Sequence, residues 1–385
     1  MKISNHVECI PASQIREMFE LASKYDDVIS LCIGEPDFET PANIVEAGVK
    51  ALRSGYTKYV PNAGIPQLRE AVAEKIRINN QVDVTWENVI ITFGAGQSLM
   101  STMQVILNPN DEVIVPDPCF PNYLGYISLA GGKPIMAETF EKDRFHITNE
   151  AIERVITPNS KAVLINSPSN PTGAVLSTEE LQKIAETAKR HNLIVISDEP
   201  YDTIIYDGRE NHCIASLPGM AEHVIIINSF SKSYAMTGWR IGYTVAPKNI
   251  IDAMTKLQES LSSCVTASVQ MAAVEALIGP QDAVQNMKCV YEKRRNLFVQ
   301  GLNEIEGISC IVPEGAFYAF PNITKTHMSS FELAKFFIEE VQVVATPGSA
   351  FGDCGEGFLR FSFAASEENL EKGIGRMKKA LKGKI

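Results

Sequence analysis

Between residues 88 and 245 the chain repeats one phrase: a short β-branched run, a turn, then a helical pattern. The runs are NVIITF (88–93), DEVIVP (111–116), KAVLIN (161–166), LIVISD (193–198) and HVIIIN (223–228). Strands this apolar on both faces belong in the middle of a layered structure, and strands separated by helices pair side by side in one direction. The phrase therefore predicts an α/β fold in three layers, a mostly parallel sheet with helices on both sides. One of these helices delimits itself. In STEELQKIAETAKRHN, Ser177 is expected to cap the start with Glu180 as its capping-box partner, and Lys189, Arg190 and His191 suit the negative end of the helix dipole.

Beyond about residue 285 the texture changes to YEKRRNLFVQGLNEI, GAFYAFP, SSFELAKFFIEE, GFLRFSFA and a final basic helix, which reads as a smaller α+β domain. The expected division is 1–40 as an N-terminal arm and part of the small domain, 41–284 as the large domain and 285–385 as the small domain. A total of 385 residues exceeds the roughly 250–300 at which a single core stops growing. The net charge of −11 argues against a nucleic-acid partner, which selects for a basic face. Eight cysteines, at 9, 32, 119, 213, 264, 289, 310 and 354, form no CxxC pair and no Cys/His cluster, so the expectation is a reducing compartment and no structural zinc. The opening MKISNHVECIPAS lacks the apolar core of a signal peptide, and no run reaches the roughly 18 apolar residues of a membrane span; a cytoplasmic protein is expected.

In open parallel sheets the ligand lies beyond the carboxyl ends of the strands. The residues expected there are Gly94, Ala95 and Gly96 after one run, Asn170 shortly after a second, Asp198 ending a third and Ser229 to Lys232 after a fourth. GAGQSLMSTMQVIL places small residues at a helix start, where amides and the dipole meet an anion. A simple tight turn has the same look, and Leu99 stands where a dinucleotide fingerprint has its third glycine. Asp198, buried after LIVIS, needs a cationic or hydrogen-bonding partner, unless it caps a helix. Lys232 lies within NSFSKSYAMTGWRIGY (228–243). A lysine at an apolar strand end loses solvation, its pKa falls, and its amine can attack an aldehyde to give a Schiff base. Ser229, Ser231 and Arg240 are suitable phosphate ligands. An aldehyde, a phosphate and a ring nitrogen facing an aspartate together describe pyridoxal 5'-phosphate. Arg360, the one charge in GFLRFSFA, requires a carboxylate, either from within the chain as a salt bridge or from a substrate.

Across nearly its whole length the sequence resembles the fold-type I pyridoxal-phosphate enzymes, specifically the class I and II aminotransferases related to aspartate aminotransferase. LCIGEPDF, YTKYVPNAGIPQLREAV, NSPSNPTG, SDEPY, SFSKSYAMTGWRIGY, GAFYAF and FLRFSFA occur in the family's order. The resemblance implies that Lys232 carries the cofactor and shuttles the proton at the substrate Cα. It implies that Asp198 pairs with the pyridine nitrogen, that Tyr201 and Asn170 bind the phenolic oxygen, and that Phe120 of PDPCFPNY stacks on the ring. The phosphate falls to Ala95, Gly96, Ser229, Arg240 and the partner subunit's Tyr59. Arg360 receives the substrate α-carboxylate, with the Gly34 backbone nearby. The implied activity is ping-pong transfer of an amino group between an L-amino acid and a 2-oxo acid, in a homodimer with shared sites.

The donor stays open among aspartate, aromatic, branched, neutral and diaminopimelate-type amino acids. In the longer aspartate enzymes a partner-subunit arginine takes the second carboxylate, but LSSCVTASVQ (261–270) has no Arg or Lys; Gly96 stands where bacterial relatives of the aspartate type often have a lysine. A carbon–sulfur β-lyase shares the same cofactor cradle. An effector-binding module of a transcription regulator calls for an N-terminal DNA-binding domain, and only the first 35 or so residues precede the core motifs. A nicotinamide dehydrogenase lacks its glycine fingerprint.

Overall fold

The computed structural model describes residues 3–8 and 14–384. Cys9 and the IPAS that follows it, both in the expected N-terminal arm, lie outside the described residues. All five runs noted above begin and end within one residue of a strand. With the short β1 (Ile29–Ser30) counted first in the chain, they are β2 (Val89–Thr92), β3 (Glu112–Asp117), β5 (Ser160–Asn166), β6 (Ile194–Asp198) and β7 (Val224–Ser229). Two further strands, β4 (Lys133–Glu138) and β8 (Gly242–Val245), complete a seven-stranded sheet of order β2-β8-β7-β6-β5-β3-β4. β8 runs antiparallel to both of its neighbours, and the other pairs are parallel.

Successive side chains of a strand face opposite ways, and both faces of this sheet are apolar. Ile90, Val113, Val115, Leu164, Ile196, Ile225 and Ile227 pack with Leu99 and Met103 of the helix Ala95–Ile106 on one side. Ile91, Ile114, Val163, Ile165, Val195 and Ile226 join Leu181 and Ile184 of the helix Thr178–Arg190 in the core on the other. That second helix has the expected capping box: Glu180 N donates to Ser177 Oγ at 3.3 Å, and Ser177 N donates to Glu180 Oε2 at 2.8 Å.

The C-terminal part holds a three-stranded antiparallel sheet in which β12 (Leu359–Ser362) lies between β9 (Tyr318–Ala319) and β11 (Thr346–Pro347). β10 (Val343–Val344) pairs in parallel with β1, which packs the segment after the first helices against the C-terminal elements. Among the described residues no helix is long and apolar enough to cross a membrane, and no cluster of side chains could hold a metal ion. The seven described cysteines are free thiols.

Candidate active site

A cavity of about 520 Å³ opens at the edge where β2, β5, β6 and β7 end, roofed by Gly34, Tyr318 and Arg360. Its size suits a small-molecule ligand. After β2, Gly94 starts the helix Ala95–Ile106 with φ +91° and ψ 168°, a region essentially reserved for glycine. A Cβ there would stand 2.8 Å from Arg240 Nη2. Ala95 and Gly96 are the first residues of that helix and line the cavity, and first-turn amides have no acceptor within their own helix.

Arg240 has φ +53°; it donates from Nη1 to Thr237 O at 2.9 Å and from Nη2 to Phe93 O at 3.3 Å. Ser229 Oγ donates to Ser231 Oγ at 2.9 Å and accepts from Ser231 N at 3.0 Å. Two hydroxyls, a guanidinium and a helix start therefore share one corner of the cavity, the composition of an anion cradle.

Asp198 ends β6 and is 4% exposed. Tyr123, buried in the helix Asn122–Leu129, donates to its Oδ2 at 2.5 Å, while Oδ1 is buried without a protein partner. Burial pushes this carboxyl up to about 7, against the pull of the tyrosine hydrogen bond. An orphaned carboxylate oxygen facing a cavity asks for a donor from a ligand. Asn166, the last residue of β5, donates to Asp198 O and accepts from Asn170 N, both at 2.8 Å, and so sets the spacing of two strand ends.

Lys232 stands on the turn after β7 and donates to the carbonyl of Gly34. Burial lowers its pKa to about 8; Glu35 resists the shift, and Arg360 and Arg240 add to it. Tyr201 and Tyr318 share a hydrogen bond of 2.7 Å between their hydroxyls. Phe120 lines the cavity and packs edge-on against Tyr123, centroids 5.5 Å apart.

Arg360, on β12, is 4% exposed. The salt bridge foreseen as one alternative is absent among the described residues. The guanidinium has neutral partners instead: Asn170 Oδ1 at 3.0 Å, Cys32 O at 2.5 Å and Thr346 Oγ1 at 3.4 Å, with the rings of Tyr318 and Phe351 4.7 and 4.8 Å away. Its Nε is buried and unpartnered. An unneutralised buried guanidinium in a cavity is a receptor for a carboxylate.

Of the residues singled out in the sequence, Gly34, Ala95, Gly96, Phe120, Asn170, Asp198, Tyr201, Ser229, Ser231, Lys232, Arg240 and Arg360 line this one cavity. Tyr59 does not; it is 89% exposed on this single chain. Tyr123, Tyr126, Tyr318 and Asn166 also line the cavity without having been anticipated. Asn166 ends KAVLIN as Asp198 ends LIVISD, so the strand-end rule applied evenly selects it as well. The three tyrosines carry no local signal, because their hydroxyls are placed by tertiary packing.

Residues 26–377 match the model of the family described as aminotransferase class I and II. The chain is 44% identical to aromatic-amino-acid aminotransferase 2 of Thermococcus litoralis, over 100% of this chain and 99% of that one. It is 42% identical to an aspartate aminotransferase of Pyrococcus abyssi at the same coverage. Among solved structures, an aspartate aminotransferase from Thermus thermophilus with maleate superposes with TM-score 0.94 at 37% identity, covering 99% of this chain and 100% of that one. The aromatic aminotransferase from Pyrococcus horikoshii OT3 does so with TM-score 0.91 at 42% identity, covering 95% and 98%.

Proposed function

The chain belongs to the class I and II aminotransferases, and from that premise we propose that it binds pyridoxal 5'-phosphate in the cavity described above and moves an amino group between an L-amino acid and a 2-oxo acid. The observation that carries the proposal is the set of unmet requirements in one cavity: a buried carboxylate oxygen without a donor, a buried guanidinium without an anion and a desolvated amine. These match the ring nitrogen of the cofactor, the α-carboxylate of an amino acid and the cofactor aldehyde. Ala95, Gly96, Ser229, Ser231 and Arg240 would hold the phosphate, with the partner subunit's Tyr59 completing it in a homodimer. Phe120 would lie on the ring, and Tyr201 and Asn170 would bind its oxygen. Bound there, the cofactor supplies an electron sink for the pair left at the substrate Cα.

The protein's own part is positioning and proton transfer. Arg360 takes the α-carboxylate through two parallel hydrogen bonds, which fixes the direction of the Cα–H bond. Lys232, with its pKa lowered to about 8 and its Nζ held by the Gly34 carbonyl, is partly neutral near pH 8 and would take a proton from Cα and return it. Asp198 would stay ionised beside a cationic ring nitrogen, because an opposite charge offsets the desolvation that raises its pKa.

The test is the visible spectrum of the protein with added pyridoxal phosphate, before and after single amino acids, beside Lys232→Ala. The reading requires an absorption band that depends on Lys232 and that a subset of amino acids discharges; the responding donors name the substrate class. No Lys232-dependent band in the wild type sinks it.

A further inference from the structure

Behind the cavity, among residues that do not line it, one carboxylate collects the two strand ends that carry the chemistry. Asp202 Oδ2 accepts from Lys75 Nζ at 2.6 Å and from Asn228 Nδ2 at 3.0 Å, and Oδ1 accepts from Ser233 Oγ at 3.2 Å. Thr203 Oγ1 donates to Ser233 Oγ at 2.8 Å, and Lys75 Nζ also reaches Tyr243 OH at 3.1 Å. The side chains of Lys75 and Asp202 are 9% and 7% exposed.

The positions of these partners along the chain give the contacts their meaning. Asp202 follows Tyr201 on the turn after β6, four residues beyond Asp198. Asn228 is the second-last residue of β7, just before Ser229, and Ser233 directly follows Lys232. The lysine turn is thus held to Asp202 on both sides of Lys232, while the Lys232 amine points elsewhere, to Gly34 O. A carboxylate has acceptor sites for three or four donors, more than the single carbonyl of an amide in its place. Lys75, on the helix Pro66–Asn79, supplies the counter-charge that makes a buried carboxylate tolerable.

We propose that Asp202, neutralised by Lys75, is a positioning residue that fixes the lysine-bearing turn to the strand end carrying Asp198 and Tyr201, and so sets where the Lys232 amine stands. It touches neither cofactor nor substrate. The inference rests on the reading of Lys232 as the reactive amine, so the wild type is first treated with pyridoxal phosphate and borohydride, and the modified peptide is identified by mass spectrometry. A label missing from Lys232 refutes that reading itself, and the positioning role with it.

With the label in place, Ser233→Ala is the informative variant, because it frees the turn and leaves the Lys75–Asp202 pair intact. Loss of the Ser233 hydroxyl removes its bond to Asp202 and the one it accepts from Thr203, and predicts a fall in kcat of about tenfold with KM for the amino acid changed less than about twofold. In the cofactor-free protein the rate at which Lys232 reacts with an amine-directed acylating reagent should change at least about threefold, since the environment of the amine changes. Asp202→Asn should move both readouts in the same directions and further. A lowered Tm with unchanged kcat and unchanged Lys232 labelling, in either variant, overturns the proposal and leaves a purely structural ion pair.

Discussion

Asp198 and Arg360 are both 4% exposed, and each keeps a polar atom without a protein partner. Such atoms are costly in a folded chain unless something else meets them, so substitutions there should act on ligand binding more than on folding. Asp198→Asn removes the charge that would face the ring nitrogen. Breaking a buried charge pair costs about 3–5 kcal/mol, so kcat should fall at least about 100-fold, measured at saturating cofactor. Arg360→Lys keeps the charge and loses the two-pronged geometry. Hydrogen bonds to charged groups are worth about 1.5–3 kcal/mol, so kcat/KM for every amino donor should fall about 10- to 100-fold, whatever its side chain. Equal losses for all donors mark the α-carboxylate as the target; a loss confined to acidic donors would place Arg360 at the side chain instead. At Gly94, the φ of +91° and the nearness of Arg240 make Gly94→Ala a strain of about 1–3 kcal/mol on the anion cradle. Pyridoxal phosphate should then bind about tenfold or more weakly, by equilibrium dialysis.

At the level of elements, Glu314, just ahead of β9, is the knot between the two parts of the chain. It accepts from Val175 N at 3.0 Å, from Arg144 Nε at 2.9 Å and from the ring of His146 at 2.8 Å, and Arg209 stands 3.1 Å away. The other ring nitrogen of His146 meets Glu180 at 2.7 Å. Burial alone would lower the pKa of His146, but the hydrogen bonds to Glu180 and Glu314 outweigh it and carry it to about 9. A pKa raised above its unfolded value stabilises fully below about 6.5, and that contribution fades as pH climbs through about 9. His146→Gln should therefore cost up to about 3 kcal/mol near pH 6 and little at pH 10, read from urea midpoints of the two proteins across that range. A gap that does not close with rising pH would contradict a protonated His146.

How much of this could be read beforehand differs by element. The five apolar runs and the capping box at Ser177 were legible, because burial on both faces leaves an unbroken apolar signature and a cap has a fixed spacing. β4 was not: it lies at the sheet edge, contains Pro134 and is only partly buried, so its run is broken. β8 was hidden because its four residues, GYTV, open on a glycine and form no β-branched apolar run, and its reversed direction leaves no trace in composition. In the cavity, residues at strand ends were legible by position, whereas Tyr123 and Tyr318 arrive from a helix and a distant sheet.

For the whole molecule, Tyr59 is the residue whose proposed role needs a second copy, and it is 89% exposed here. Tyr59→Ala and Lys232→Ala should each impair the enzyme. When the two variants are refolded together, a mixed dimer regains one intact site, built from Lys232 of one subunit and Tyr59 of the other. Random pairing predicts recovery of about one quarter of wild-type activity. No recovery, or a monomer by sedimentation, would remove Tyr59 from the site. The reversed strand β8 has a further consequence at this scale. Because it runs against β7 and β2, the chain leaves the sheet at Ser229 and re-enters at Gly242 on the same edge. The loop bearing Lys232 and Arg240 is thus tethered at both ends in the core, and little freedom is left to freeze when a ligand arrives. Its affinity for that ligand should owe more to a low entropic penalty than to the number of contacts it makes.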